Sequence, residues 1–213
     1  MRLSIPHVTQ TGNAARNDCG PAVVAMLAGS TVEEAITACR VPANQSAHVG
    51  DIMRGLKYFG IQSKYDRLHV AQIRGYLADG YPVICLIDYG RVPDSLRRSQ
   101  YKGAHFVLAC GYDAGSILVH DPLGSAETGA YIPYQDVLLS AVMRHVPGNY
   151  FNDQCLIVMG EYEAVEETAV SPGTEAASPA LQLLVIFKRL GVTDLGAALV
   201  RIGEMERGGR RPL

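Results

Sequence analysis

The chain has no C-x-x-C pair, no excess of either charge and no internal repeat. It also lacks any run of the ~20 apolar residues that a spanning helix needs. Each absence removes a class of function. A net charge of −2 over 213 residues gives no basis for binding nucleic acid or an anionic membrane surface. The five cysteines are odd in number; Cys39, Cys85, Cys110 and Cys155 lie far apart, and three of them fall in apolar runs. A disulfide framework or a zinc site is therefore not expected, nor is any other metal or cofactor, and a reducing compartment fits best. Met1 to His7 contains no apolar stretch of signal-peptide type, so the expected location is cytoplasmic. What the chain does have is 48% apolar residues, enough for a true core in one domain of ordinary size plus an appendage.

The hydrophobic pattern changes character along the chain. Residues 3–9 read as a short strand or extended lead-in, and Gln10 to Arg16 as a polar loop. Three helices are then predicted: from Asp18 to a C-cap at Gly29, from a capping box Thr31–Glu34 to about Arg40, and Ile52 to Phe59 with Asp51 as cap. A strand at Ile61–Tyr65 and a helix at His69–Ala78 precede a continuous β-type run, Pro82 to Tyr89, which reads as a central strand. A long polar, basic loop, Gly90 to Gly103, reads as a functional rim. His105–Gly111 and Ser116–Asp121 flank Tyr112-Asp113-Ala114-Gly115, which is turn chemistry, so they form a hairpin. A short strand at Tyr131–Pro133, a helix at Tyr134–Arg144 and a strand at Gln154–Met159 complete the pattern. Early helices followed by antiparallel strands give an α+β domain over residues 1–160. Residues 161–179, rich in Glu, Ala, Ser, Thr and Pro, read as an acidic flexible linker. Residues 180–213 carry two amphipathic helical patterns and a basic end, and residues 180–206 offer apolar faces for self-association or a partner.

Cys19 stands at the junction of a loop and a helix that is apolar all round, Ala22 to Leu27. Asn17 and Asp18 are N-cap types, and Pro21 suits a first turn, where a missing N–H costs nothing. A thiol at a helix start faces unpaired N–H groups and the positive end of the dipole, which favour thiolate. A cysteine beside an apolar run is more commonly an inert buried hydrophobe. What separates the two readings is whether a histidine and an acid are at hand.

The hairpin supplies both. His105 opens one strand and Asp121 closes the next. A three-residue turn would set His105 across from Leu123, with Asp121 as its diagonal neighbour on the same face. An even turn would place them on opposite faces, so the constellation demands an odd turn or a bulge. His120 then points away, and Asp113 is a turn residue. His7, His48, His69 and His145 read as surface histidines, with His48 in a loop able to border a cleft.

Three segments carry a resemblance to a known family: Gln10 with Asn17-Asp18-Cys19-Gly20-Pro21-Ala22; Gly103-Ala104-His105-Phe106-Val107-Leu108 with Gly111-Tyr112-Asp113; and Val119-His120-Asp121-Pro122. Gly80-Tyr81-Pro82-Val83 adds a G-x-P-V strand entry. Residues 5–160 resemble the C39-like branch of the papain-like cysteine peptidases. The resemblance implies Cys19 as nucleophile, His105 as general base and acid, Asp121 as the residue that orients the imidazole, and Gln10 as oxyanion donor. The nine-residue step from Gln10 to Cys19 exceeds that usual in the family's leader peptidases, which leaves Asn13 and Asn17 as alternatives. Transporters of this family carry a membrane domain and an ATPase after the peptidase, and this chain has neither. A free-standing cysteine peptidase acting on a peptide or protein substrate is therefore expected, hydrolysing a peptide or isopeptide bond through a thioester. Two rivals stand beside it: an inactive adaptor module, and an acyltransferase or cell-wall amidase with the same triad. The amidase reading fits a phage-encoded origin, since a phage protein needs no signal peptide.

Overall fold

The computed structural model describes residues 1–10, 18–42, 45–124, 131–148 and 152–165. The C-terminal helical patterns, the linker beyond residue 165, Asn13 and Asn17 lie outside the described residues.

Three helices follow one another after the N-terminal segment: α1 (Cys19–Ala28), α2 (Val32–Cys39) and α3 (Val49–Tyr58). α1 is buried from Cys19 to Leu27 because no face of it is polar, and it stops at Gly29, whose φ of 63° closes the helix in the left-handed region. α2 begins with a full capping box, Thr31 accepting from the Glu34 N–H and Glu34 from the Thr31 N–H. α3 starts three residues earlier than the sequence pattern indicates. His48 is the N-cap, and Asp51 sits at the third helical position, where its carboxylate accepts from the His48 N–H at 2.9 Å. An Asp at either position accepts from one of the orphan N–H groups of a helix start, so the residue pattern alone does not separate the two.

The antiparallel sheet is built from β1 (Arg2–Leu3), β2 (Gln62–Arg67), β3 (Val83–Asp88), β4 (Ala104–Tyr112), β5 (Ser116–His120), β6 (Ile132–Gln135), β7 (Gln154–Met159) and β8 (Ala164–Val165). Its main path runs β2-β7-β3-β4-β1-β8, with β5 paired to β4 and β6 to β5. Val83 to Ile87 are all buried, as expected of a strand covered on both faces. The lead-in forms a strand only at Arg2–Leu3 and continues as extended chain. β8 pairs with β1 and Tyr162 packs on the core, so after β7 ends at Met159 the chain returns to the sheet at Ala164–Val165. The apolar pattern there is too short to announce a strand. α4 (Val70–Ala78) and α5 (Asp136–Met143) complete the fold.

Among the described residues no single helix is long and apolar enough to cross a membrane. α1 and α2 reach that length only together, across a 110° bend.

Candidate active site

The β4–β5 hairpin decides what meets what. Its turn is two residues, Ala114-Gly115, closed by Asp113 N–H to the Ser116 carbonyl at 3.0 Å. Asp113 Oδ1 accepts from the N–H groups of Gly115 and Ser116, so it is the turn residue its sequence position indicates. Tyr112 pairs with Ile117 and Gly111 with Leu118, but past Cys110 the register has moved, with Ala109 opposite Val119 and Leu108 opposite His120. The two-residue turn alone would put His105 and Asp121 on opposite faces. The bulge at Cys110 reverses that, and His105 Nε2 lies 2.7 Å from Asp121 Oδ1.

Asp121 is fully buried and its carboxylate is saturated with donors. Oδ1 takes the His105 ring N–H and the Leu123 N–H at 2.9 Å, and Oδ2 takes the Tyr89 hydroxyl at 2.8 Å. Burial alone would raise its pKa. The bond to His105, that residue's charge and the other two donors outweigh burial and hold the carboxyl below its ordinary value.

The turn that carries Asp121 is gripped by the N-terminal segment. His120 Nε2 bonds the Ile5 carbonyl at 2.9 Å, and His7 Nε2 donates to the Asp121 carbonyl at 2.8 Å. Thr9 donates its hydroxyl to Gly124 at 2.8 Å and the Gln10 N–H donates to Pro122 at 2.9 Å. His7 is therefore half-buried and structural rather than a plain surface histidine, while His120 points away from the site as its position predicts.

Cys19 is the first residue of α1 and is 8% exposed. Asp18 occupies the N-cap position without a side-chain capping bond. Burial opposes ionisation of the thiol and is the largest single influence on it. The hydrogen bond and positive charge of His105, with backbone bonds at Phe106 and Gly20, outweigh burial and lower the Cys19 pKa. His105 is 1% exposed; burial opposes its charge, but bonds to Asp121 and Cys19 raise it to about 9. The arrangement favours an imidazolium beside a thiolate. Elsewhere the thiols move the other way: burial pushes Cys39 up to about 12 and raises Cys110, and Cys155 is raised first by its bond to Cys85.

A cleft of about 400 Å³ opens at Cys19, lined by Ala47, His48, Leu86, Phe106, Gly148 and Gln154 among others. His48 thus borders the cleft, as its loop position allows. Gln10 has a buried side-chain oxygen without a hydrogen-bond partner among the described residues and is tied through its backbone to Pro122, next to Asp121. Among the described residues no hydrogen bond joins Gln10 to Cys19. No group of three or more metal-ligating side chains occurs among the described residues. Tyr89, like His7, is a member of this cluster that sequence reasoning missed. It closes an apolar strand run, where a tyrosine reads as core, and only the fold brings its hydroxyl to Asp121.

The family model described as the Peptidase_C39 like family matches residues 2–150. No curated protein sequence matches the chain. Among solved structures, the double glycine motif protease from an AMS/PCAT transporter, solved with its leader peptide, is 16% identical with a TM-score of 0.52, covering 74% of this chain and 92% of that one. The peptidase domain of Streptococcus ComA, a bifunctional ABC transporter, is 15% identical with a TM-score of 0.50, covering 74% and 96%. A protein assigned as a C39-like peptidase from Bacillus anthracis is 11% identical with a TM-score of 0.53, covering 76% and 100%. At these identities the structures establish the papain-like fold, and the family model, spanning more than half of the sequence, establishes that this chain belongs to the Peptidase_C39 like family of cysteine peptidases.

Proposed function

We propose that this protein is a cysteine hydrolase that cleaves a peptide or isopeptide bond, with Cys19 as nucleophile, His105 as general acid and base, and Asp121 as orienter. The observation that carries the reading is one chain of bonds, Cys19 to His105 to Asp121, which raises the proton affinity of the imidazole and lowers that of the thiol. No other described thiol has an imidazole partner of this kind.

In the first step the Cys19 sulfur forms a bond to the scissile carbonyl carbon, and the carbonyl π electrons move to oxygen. The Cys19 backbone N–H, in the first turn of α1, has no partner within the helix and suits that developing charge. The Gln10 side-chain amide is the proposed second donor, by similarity to the family. Collapse of the intermediate breaks the C–N bond, and the leaving amine takes the proton from His105. The neutral imidazole then removes a proton from water, the resulting hydroxide attacks the thioester, and the acid product leaves the regenerated thiolate. Asp121 keeps the ring in register throughout, its own charge held by three donors. The substrate is a peptide or protein segment lying in the cleft beside Cys19.

Digestion of a mixed peptide library by the wild type and by Cys19→Ala tests the reading. New amino and carboxyl termini with the wild type alone support it. Turnover retained in the variant refutes it, products joined to an added amine instead of water place the chemistry in acyl transfer, and a wild type that neither cuts nor reacts with iodoacetamide leaves an adaptor module.

A further inference from the structure

Asp121 is usually the last named partner in such a relay, but here its outer oxygen is held by a further side chain. Tyr89 is the first residue after β3, in a short 3-10 turn (Tyr89–Arg91), and is fully buried. Its hydroxyl donates to Asp121 Oδ2 at 2.8 Å and accepts the Arg98 N–H at 2.7 Å. Its ring lies against His105, with centroids 4.7 Å apart. The Tyr89 N–H donates to the Gly103 carbonyl at 2.9 Å, which pins the far end of the same loop. One residue thus touches the carboxylate, the imidazole and, at Arg98 and Gly103, the basic rim between residues 90 and 103.

We infer that Tyr89 is a positioning residue that fixes the plane and charge of Asp121 and couples the fold of the 90–103 loop to the imidazole. The inference rests on Asp121 acting as orienter. In a dry site a carboxylate oxygen without a donor is costly, and the neutral acid becomes the cheaper form. Without the Tyr89 hydroxyl, Asp121 gives up its charge at a higher pH. His105 then loses the anion that supports its proton, and the Cys19 thiolate is lost at a higher pH as well. A neighbouring residue supplies the control. Tyr134 is also fully buried, and its hydroxyl has no hydrogen-bond partner among the described residues. Removing it takes away no bond.

The test compares Tyr89→Phe with Tyr134→Phe in the full chain. The readouts are the pH profile of Cys19 alkylation by iodoacetamide, resolved by peptide mass spectrometry, and the low-field proton resonance of the His105–Asp121 bond. Tyr89→Phe is expected to move the acid midpoint upward by about one pH unit, the worth of one hydrogen bond to a charged group. It should also shift or broaden the low-field resonance, whereas Tyr134→Phe leaves both unchanged. An unmoved midpoint with an unmoved resonance in folded Tyr89→Phe overturns the inference, even if that variant melts earlier, and leaves the hydrolase reading intact so long as Cys19→Ala is inert. If Tyr89→Phe does not fold, 3-fluorotyrosine placed at residue 89 keeps the hydroxyl and makes it a better donor. The acid midpoint is then expected to fall, and an unchanged or raised midpoint overturns the inference.

Discussion

His105 and Asp121 meet at 2.7 Å because a single extra residue, Cys110, interrupts the ladder between their strands. The turn at the far end of the hairpin has the wrong parity for this contact, and the bulge restores it. A local irregularity three residues from Asp113 and five from His105 therefore decides whether an imidazole and a carboxylate share a face.

Asp121→Asn keeps the volume and one acceptor but removes the charge. His105 is then expected to titrate well below about 9, and turnover to fall roughly 10²–10⁴-fold, the scale seen when an orienting carboxylate becomes an amide. NMR titration of the His105 ring, with turnover on a cleaved peptide, checks both.

Turnover and alkylation should part company at high pH. The Cys19 thiol is held below its ordinary value and His105 is raised to about 9, so the ion pair exists between those two limits. Above about 9 His105 loses its proton and the leaving amine loses its acid, so turnover declines. Iodoacetamide needs only the thiolate, so alkylation of Cys19 does not decline there. Parallel pH profiles of the two reactions check this.

Gln10→Ala separates the oxyanion role from the ion pair. If its amide donates to the oxyanion, kcat falls by about 10²–10³-fold while Cys19 alkylation keeps its rate, since alkylation develops no oxyanion. Equal loss in both reactions would instead mean that the variant disturbs the Pro122 turn to which the Gln10 backbone is tied.

Gly20 sits next to Cys19 because nothing larger fits. A Cβ there would lie 2.9 Å from Ala47 Cβ and 3.1 Å from Ile52 Cδ1. Gly20→Ala is expected to cost about 1–3 kcal/mol in thermal or urea denaturation, the usual range for overpacking. Because Ala47 lines the cleft, KM should rise as well.

Much of this molecule is written in local pattern. The cap and apolar run of α1, the Thr31–Glu34 box, the buried strand Val83–Asp88 and the hairpin turn are each specified within about ten residues, the scale on which capping and periodicity act. What local pattern leaves open is register. Whether His105 and Asp121 share a face depends on the bulge at Cys110, and the residues there carry no bulge signal, since Cys110 is an apolar strand residue like its neighbours. Tyr89 and His7 were hidden for the same reason. One ends an apolar strand and the other lies in an extended lead-in, and the contacts that give them meaning reach across 32 and 114 residues of sequence. α3 follows an N-cap at His48 rather than at Asp51, because the Asp51 carboxylate serves the helix start from its third position.

The most direct test is the pH dependence of iodoacetamide alkylation at Cys19, measured site by site in the wild type and in His105→Ala. Wild-type Cys19 is expected to react as a thiolate below the ordinary thiol value of 9.0, ahead of Cys39, Cys110 and Cys155, and His105→Ala to move its midpoint up toward or beyond that value. A wild-type Cys19 that titrates like an ordinary thiol, or one whose midpoint is indifferent to loss of the His105 imidazole, would contradict the imidazolium–thiolate pair.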